Sequence, residues 1–226
     1  MDDPDDGAAW REAEDRARRE VLETALAMSR RGLSPGRSGN VSRRFRDGML
    51  ITPSGQTYAS ILPADIVFVG DDGAVTAGQK KPSTEWRFHL AAYRARPDIG
   101  GVVHTHSLHA TVLACAGKSI PAFHYMVAVA GGNDVPLVPY ATFGSKELAR
   151  HIAKGLKDRD ACLMANHGQI AVGDTCGKAL ELAAEVENLA EQYVKVLTLG
   201  DPILLDDAEM QRVTEQFESY GDGARR

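Results

Sequence analysis

From about Ala8 to Tyr220 the chain keeps switching hydrophobic period, from 3.6 residues to 2 and back, and no stretch between reads as a linker. A period of 3.6 makes an amphipathic helix and a period of 2 a half-buried strand. Interleaving both in one run obliges helices to cover a sheet, so a layered α/β or α+β domain follows. The 226 residues are enough chain for one large core. Trp10, Ala17, Val21, Leu22, Ala25, Leu26 and Met28 stand at helical spacing in an expected helix from Ala8 to about Arg31. The acidic residues 1–7 before it lack such a pattern and are expected to form a solvated, disordered tail, leaving 8–226 as a single domain.

Punctuation sets the remaining elements. Gly32 to Gly39 holds three glycines and a proline and reads as a loop, followed by Asn40-Val-Ser42 and a hairpin turning at Asp47-Gly48. Strands are expected at Met49–Thr52, Ile66–Val69 and Ala74–Thr76. Ser83 to Arg94 suits a helix with Ser83 or Thr84 as N-cap, and Gly101 to His106 a strand. A helix from Ser107 to about Gly117 comes next, then an extended Val135–Tyr140, and a helix capped by Ser145 that runs to about Lys157. Ala161 to Val172 reads as a hairpin turning near Asn166-His-Gly168. Asp174 is the expected cap of the strongest helix, Ala179–Leu197, which Gly200 ends, and a last helix spans Asp207–Tyr220.

Charge and composition remove several function classes. The 26 Lys+Arg are spread along the chain against 31 Asp+Glu, so the basic face of a nucleic-acid binder is missing. No run approaches the roughly 20 apolar residues of a bilayer span, and the acidic start is the opposite of a signal peptide. A soluble, cytoplasmic protein is expected. Cys115, Cys162 and Cys176 form no Cys-x-x-Cys pair and read as reduced thiols acting as small buried hydrophobes.

His104 and His106 flank Thr105 at the end of an apolar strand, so both imidazoles project from one face, within reach of one ion. His106 and His109 are three apart, which aligns ligands on a helix, and spacing alone leaves open which two act together. A satisfied core histidine beside an exposed one is the plain alternative. His167, in the expected hairpin, has no evident packing reason to be there, and with the pair it points to a three-imidazole zinc site with an open coordination position. Glu85 lies just inside a helix start behind Lys81-Pro-Ser-Thr84, where hydroxyls and free amides make an anion site; a capping Ser with a first-turn Glu reads equally well. Ser38-Gly39-Asn40 and Thr52-Pro-Ser-Gly55 are further small polar turns suited to a phosphate, and neither matches a nucleotide-binding pattern.

Seven segments occur here in the order of a known family. They are Gly39-Asn40-Val41-Ser42, Ile51 to Gly55, Ser83 to His89, Val102 to His106, Ile120 to Tyr125, Pro139 to Gly144 and Asn166-His-Gly168. Over Val21 to Tyr220 the chain resembles the class II aldolase/adducin family. That resemblance implies a three-layer α/β/α sandwich with a central mixed, largely antiparallel sheet, assembled as a fourfold homotetramer with active sites between subunits. It implies zinc on His104, His106 and His167, with Glu85 as acid/base carboxylate and further metal ligand. It puts Asn40, Ser54, Gly55, Ser83 and Thr84 around a substrate phosphate, and Tyr125 reaching in from the neighbouring subunit as proton donor. Phe143, Phe217 and Tyr220 would line the aldehyde end. His109 and His124 are not ligands in the family.

The activity implied is reversible cleavage of a ketose 1-phosphate, L-fuculose 1-phosphate foremost, to dihydroxyacetone phosphate and L-lactaldehyde. A divalent ion there spreads the charge of an enediolate without a covalent lysine intermediate. Two relatives within the family, ribulose-phosphate 4-epimerase and methylthioribulose-1-phosphate dehydratase, use the same metal cradle with different acid/base partners. A non-catalytic adducin-like module is a remote third reading, since all three imidazoles and Glu85 are retained.

Overall fold

The computed structural model describes residues 4–222, with side chains described for 8–217. Its sheet comprises β1 (Asn40–Phe45), β2 (Gly48–Ile51), β3 (Val67–Gly70), β4 (Gly101–Thr105), β5 (Leu137–Val138), β6 (Ala161–Met164) and β7 (Gly168–Gly173). They lie in the order β3-β2-β1-β4-β7-β6-β5. Each neighbouring pair is antiparallel except β5 with β6. The helices are α1 (Pro4–Arg30), α2 (Trp86–Ala95), α3 (Leu108–Cys115), α4 (Lys146–Gly155), α5 (Cys176–Leu199) and α6 (Asp207–Asp222).

Strand alternation divides the core in two. Val41, Leu50, Val103 and Ala171 point to α1, α3 and α5, whereas Met49, Ile51, Val102, Ile170 and Val172 point to α2 and α4. This is the expected three-layer α/β/α sandwich. The end of α2 is fastened to the sheet by Arg44 of β1. Its guanidinium donates to the carbonyls of Tyr93, Arg96 and Ile99, the first of them within the last turn of the helix, and packs over the Tyr93 ring at 4.7 Å.

Several boundaries differ from expectation. Helix α1 begins at Pro4, inside the expected tail; residues 1–3 fall outside the described part. The β1–β2 turn is made by Arg46, at φ 50°, and Asp47. Gly48 serves packing instead, because a Cβ there would sit 2.2 Å from the Val69 carbonyl oxygen of β3. Ala74–Thr76 forms no strand, only a single bridge from Val75 to Val69: Gly70 N–H to Ala74 O and Ala74 N–H to the Asp72 carboxylate close a tight turn. Thr175, not Asp174, caps α5, its hydroxyl accepting from Lys178 N–H at 3.2 Å. Glu85 occupies the N-cap position of α2, and Ser83 and Thr84 belong to the turn before it. Cys162 and Cys176 are buried, whereas Cys115 is exposed near the end of α3.

Candidate active site

Sheet register assembles the site. Asn40 is paired with His104 across β1 and β4, and Thr105 with Gln169 across β4 and β7. His104 is fully buried on the α2 side, with the Phe88 ring edge-on at 5.3 Å. His106 follows the end of β4 on the same face. His167 sits in the β6–β7 turn, where Asn166 takes φ 54°, a conformation asparagine tolerates. That turn abuts β4 because residue 168 is glycine: a Cβ there would lie 2.3 Å from the Thr105 carbonyl oxygen.

The three imidazoles consequently converge. Ring centroids are 4.8 Å apart for His104–His106 and for His104–His167, and 4.9 Å for His106–His167. A nitrogen from each lies within 4.8 Å of the others. His104 Nδ1 donates to the Gln169 carbonyl at 2.8 Å, so its Nε2 carries a bare lone pair. That lone pair faces His106 Nε2 at 3.0 Å and Glu85 Oε2 at 3.2 Å, while Glu85 Oε1 is 3.1 Å from His167 Nε2. His104 thus has no proton to share with these neighbours, and a cation among the converging nitrogens and carboxylate oxygens relieves their crowding. The donor set therefore fits a divalent metal in the three-imidazole pattern with an adjacent carboxylate.

Electrostatics agree. Burial, then the neighbouring His104 and His167, push His106 down to about 3, leaving it neutral and a ligand at ordinary pH. Burial alone would raise the Glu85 carboxyl; positive charge at His104 and His167 outweighs it and holds the group well below the usual carboxylate range, and a cation held by neutral imidazoles acts in the same sense.

The alternative His106/His109 pairing is closed by α5. Glu187 accepts from the backbone N–H groups of His109 and Ala110 and contacts His109 Nδ1 at 2.8 Å, capping α3 and engaging the ring. His124 Nδ1 accepts from Met126 N–H at the start of the 3₁₀ segment Tyr125–Ala130.

Beside the histidines opens a cavity of about 330 Å³. It is lined by Asn40, Ser54, Gly55, Ser83, Thr84 and Glu85, with His106 and His167 on one side and Phe143 at the rim. Its two polar loops are laced together. Ser54 N–H donates to Lys81 O and Ser83 N–H to Thr52 O, so those two amides are spent on the fold, contrary to the expectation of free amides. The Ser83 hydroxyl also accepts from Glu85 N–H. What the cavity wall offers an anion is hydroxyls and a cation unforeseen from the sequence: Arg37, whose Nη1 donates to Gly55 O at 3.0 Å. Its position in the loop before Asn40 was the available signal. Tyr140 also lines the cavity.

Tyr125 and Phe217 do not join this cavity. Tyr125 is half exposed, with its ring stacked on His124 and 6.3 Å from that of Phe217 in α6. The Tyr220 side chain falls outside the described residues. His89 was missed as a site residue, although it stands four residues after Glu85 and thus on the same helical face.

A mixed seven-stranded sheet carrying three imidazoles and a carboxylate beside a hydroxyl-lined cavity is suited to metal-assisted acid/base chemistry. Residues 19–194 match the Class II Aldolase and Adducin N-terminal domain, and the chain belongs to that family. It is 51% identical over 205 residues to a 5-methylthioribulose-1-phosphate/5-deoxyribulose-1-phosphate aldolase of Rhodospirillum rubrum, covering 91% of this chain and 92% of the relative. It is 50% identical to the L-fuculose phosphate aldolase of Escherichia coli K12, over 90% of this chain and 94% of that protein. A solved L-fuculose 1-phosphate aldolase superposes with a TM-score of 0.86 at 40% identity, covering 90% of this chain and 96% of that one. No described helix is long and apolar enough to cross a membrane.

Proposed function

We propose that this chain is a zinc-dependent, cytoplasmic aldolase that reversibly cleaves L-fuculose 1-phosphate to dihydroxyacetone phosphate and L-lactaldehyde. The observation that carries this is Glu85, poised 3.1 to 3.2 Å from two of three converging imidazoles and opening onto a hydroxyl-lined cavity. Held by His104, His106 and His167, with Glu85 as a further ligand, a divalent ion supplies Lewis-acid polarisation of the ketose oxygens.

The chain's own groups do the rest. Ser54, Ser83 and Thr84, with the Arg37 guanidinium and the Gly55 turn, grip the phosphate; this remote binding energy holds the reacting carbon beside Glu85. In the aldol direction a Glu85 carboxylate oxygen takes a proton from the hydroxymethyl carbon of dihydroxyacetone phosphate. In cleavage it returns that proton to the same carbon. The opposite partner, the oxygen that becomes the aldehyde, needs a second acid/base group. Tyr125 fills that role from a neighbouring copy of a homotetramer, since within one chain it stands outside the cavity. Phe143 borders the aldehyde end, with Phe217 arriving beside Tyr125, and Tyr220 is the third residue assigned to that end. Asn40 lines the phosphate cavity while donating to Glu85.

The Rhodospirillum rubrum relative favours a second reading, cleavage of 5-deoxy- or 5-methylthioribulose 1-phosphate at the same bond. Only the aldehyde differs: acetaldehyde or methylthioacetaldehyde. A panel of 1-phosphoketoses, with release of dihydroxyacetone phosphate as readout, separates the two by relative kcat/KM. Release from none of them, or epimerisation of ribulose 5-phosphate without cleavage, would remove the aldolase reading. Zinc analysis of protein purified without chelator tests the metal.

A further inference from the structure

We infer that His89 is a positioning residue for Glu85, acting through the Asn40 amide, which it holds in the one orientation that donates to the Glu85 carboxylate. This rests on the reading of Glu85 as the acid/base group. Behind Glu85 runs a continuous buried chain of hydrogen bonds. Asn40 Nδ2 donates to Glu85 Oε2 at 2.8 Å, and Asn40 Oδ1 meets His89 Nε2. His89 Nδ1 is 2.7 Å from Ser42 Oγ, itself 2.9 Å from the Tyr93 hydroxyl. His89 and Ser42 are wholly inaccessible to solvent, and Asn40 and Tyr93 nearly so.

Donor and acceptor bookkeeping leaves the chain one polarity. A carboxylate only accepts, so Asn40 presents its NH₂ to Glu85 and its carbonyl to His89. His89 Nε2 must then carry the ring proton and donate it, which leaves Nδ1 bare. The Ser42 hydroxyl donates to that nitrogen, and the Tyr93 phenol donates to Ser42 Oγ. From Ser42 to Glu85 every hydrogen is thus aimed toward the carboxylate, each assignment forced by the one before, while the Tyr93 hydroxyl also reaches the Gly100 carbonyl at 3.5 Å. Burial supports it: it pushes His89 down to about 3, so the ring stays neutral, and it raises the Tyr93 phenol, which stays protonated.

Glu85 cannot hold the amide by itself, because a carboxyl that accepts and returns a proton during turnover loses its preference for the NH₂ end. His89 takes no part in that exchange, and its N–H selects the Asn40 carbonyl throughout. A flipped amide would set Oδ1 against the carboxylate and turn Glu85 away from the reacting carbon. Groups that orient a metal-site side chain in this indirect way are worth roughly 10- to 100-fold in activity.

The test uses the full-length, zinc-loaded protein. Long-range proton–nitrogen spectra of histidine-labelled protein should show His89 as the neutral Nε2–H tautomer; an Nδ1–H tautomer or an imidazolium overturns the assignment, whatever the substrate. Solvent exchange of the dihydroxyacetone phosphate C–H should fall on the order of 10²-fold in kcat for His89→Leu, with KM within about threefold and zinc content unchanged. His89→Gln, whose Nε2 can take the place of the ring Nε2, should recover to within about tenfold of the parent. Equal losses in both variants, a loss confined to KM, or loss of zinc would overturn the proposal. If His89→Leu fails to fold, Ser42→Ala serves: part of His89 should move to the Nδ1–H tautomer with a several-fold fall in kcat, and an unchanged spectrum and rate would count against the chain. Failure of the underlying reading is distinguishable, since Glu85→Gln would then exchange at the parent rate.

Discussion

Replacing Gly168 by alanine separates the geometry of the metal centre from its chemistry. The new methyl would sit 2.3 Å from the Thr105 carbonyl oxygen, against an ordinary contact of 3.4 Å or more, so backbone must give by about 1 Å. Neither side can yield by rotating a side chain, because Thr105 is paired with Gln169 inside the sheet. The displacement falls on the turn carrying His167 and on the Gln169 carbonyl that sets the His104 tautomer. Overpacking of this kind costs about 1–3 kcal/mol. For a chain of this length that is a drop of roughly 2 to 6 °C in Tm. Moving one ligand by about 1 Å should cost on the order of 10²-fold in turnover, with weaker zinc binding by chelator competition. Gly78→Ala is the control: unlike Gly168 it has a positive φ, at 88°, and nothing within 4 Å of a Cβ, so it should lose about 1–2 kcal/mol to backbone strain alone and no zinc affinity. If Gly168→Ala loses stability while zinc affinity and turnover stay at parent levels, the turn does not position His167 and the reasoning fails.

Glu85→Gln should keep its zinc and slow solvent exchange of the dihydroxyacetone phosphate proton by at least about 10²-fold; near-normal exchange would refute the base assignment. Tyr125→Phe should impair carbon–carbon cleavage more than that exchange, and equal losses would argue against a dedicated proton donor. Mixing Glu85→Gln and Tyr125→Phe subunits before reassembly should restore about a quarter of parent activity, because random mixing completes one interfacial site in four; no recovery would place Tyr125 in its own chain's site. His89 also makes a pH prediction. Its pKa is depressed to about 3 in the folded state, so between that value and about 6.5 only the unfolded chain takes up its proton, and stability falls as pH drops through this window. The slope is at most about 1.4 kcal/mol per pH unit, should be absent from His89→Gln in urea melts at several pH values, and identical slopes would contradict it.

Much of the site was legible because its determinants are local. Period-two alternation placed His104 and His106 on one face, and the punctuation at Asn166-His-Gly168 placed the turn that carries His167. Misplaced features were those decided by contacts from afar. Gly48 was read as a turn glycine, yet it is glycine because β3 passes close; Asp174 was read as a cap because sequence does not say which of two adjacent polar residues adopts the extended backbone.

By itself the sequence determined most of the helices and strands and the residue types able to hold a metal, since each depends on neighbours within a few positions along the chain. Only the tertiary structure decided that β1 lies against β4 and β4 against β7, which sets Asn40 beside His104 and brings His167 to both. It also decided that α2 packs over that junction with Glu85 and His89 facing Asn40. Register between strands some 60 residues apart comes from packing the whole core, and a one-residue slip would turn every one of these side chains to the opposite face.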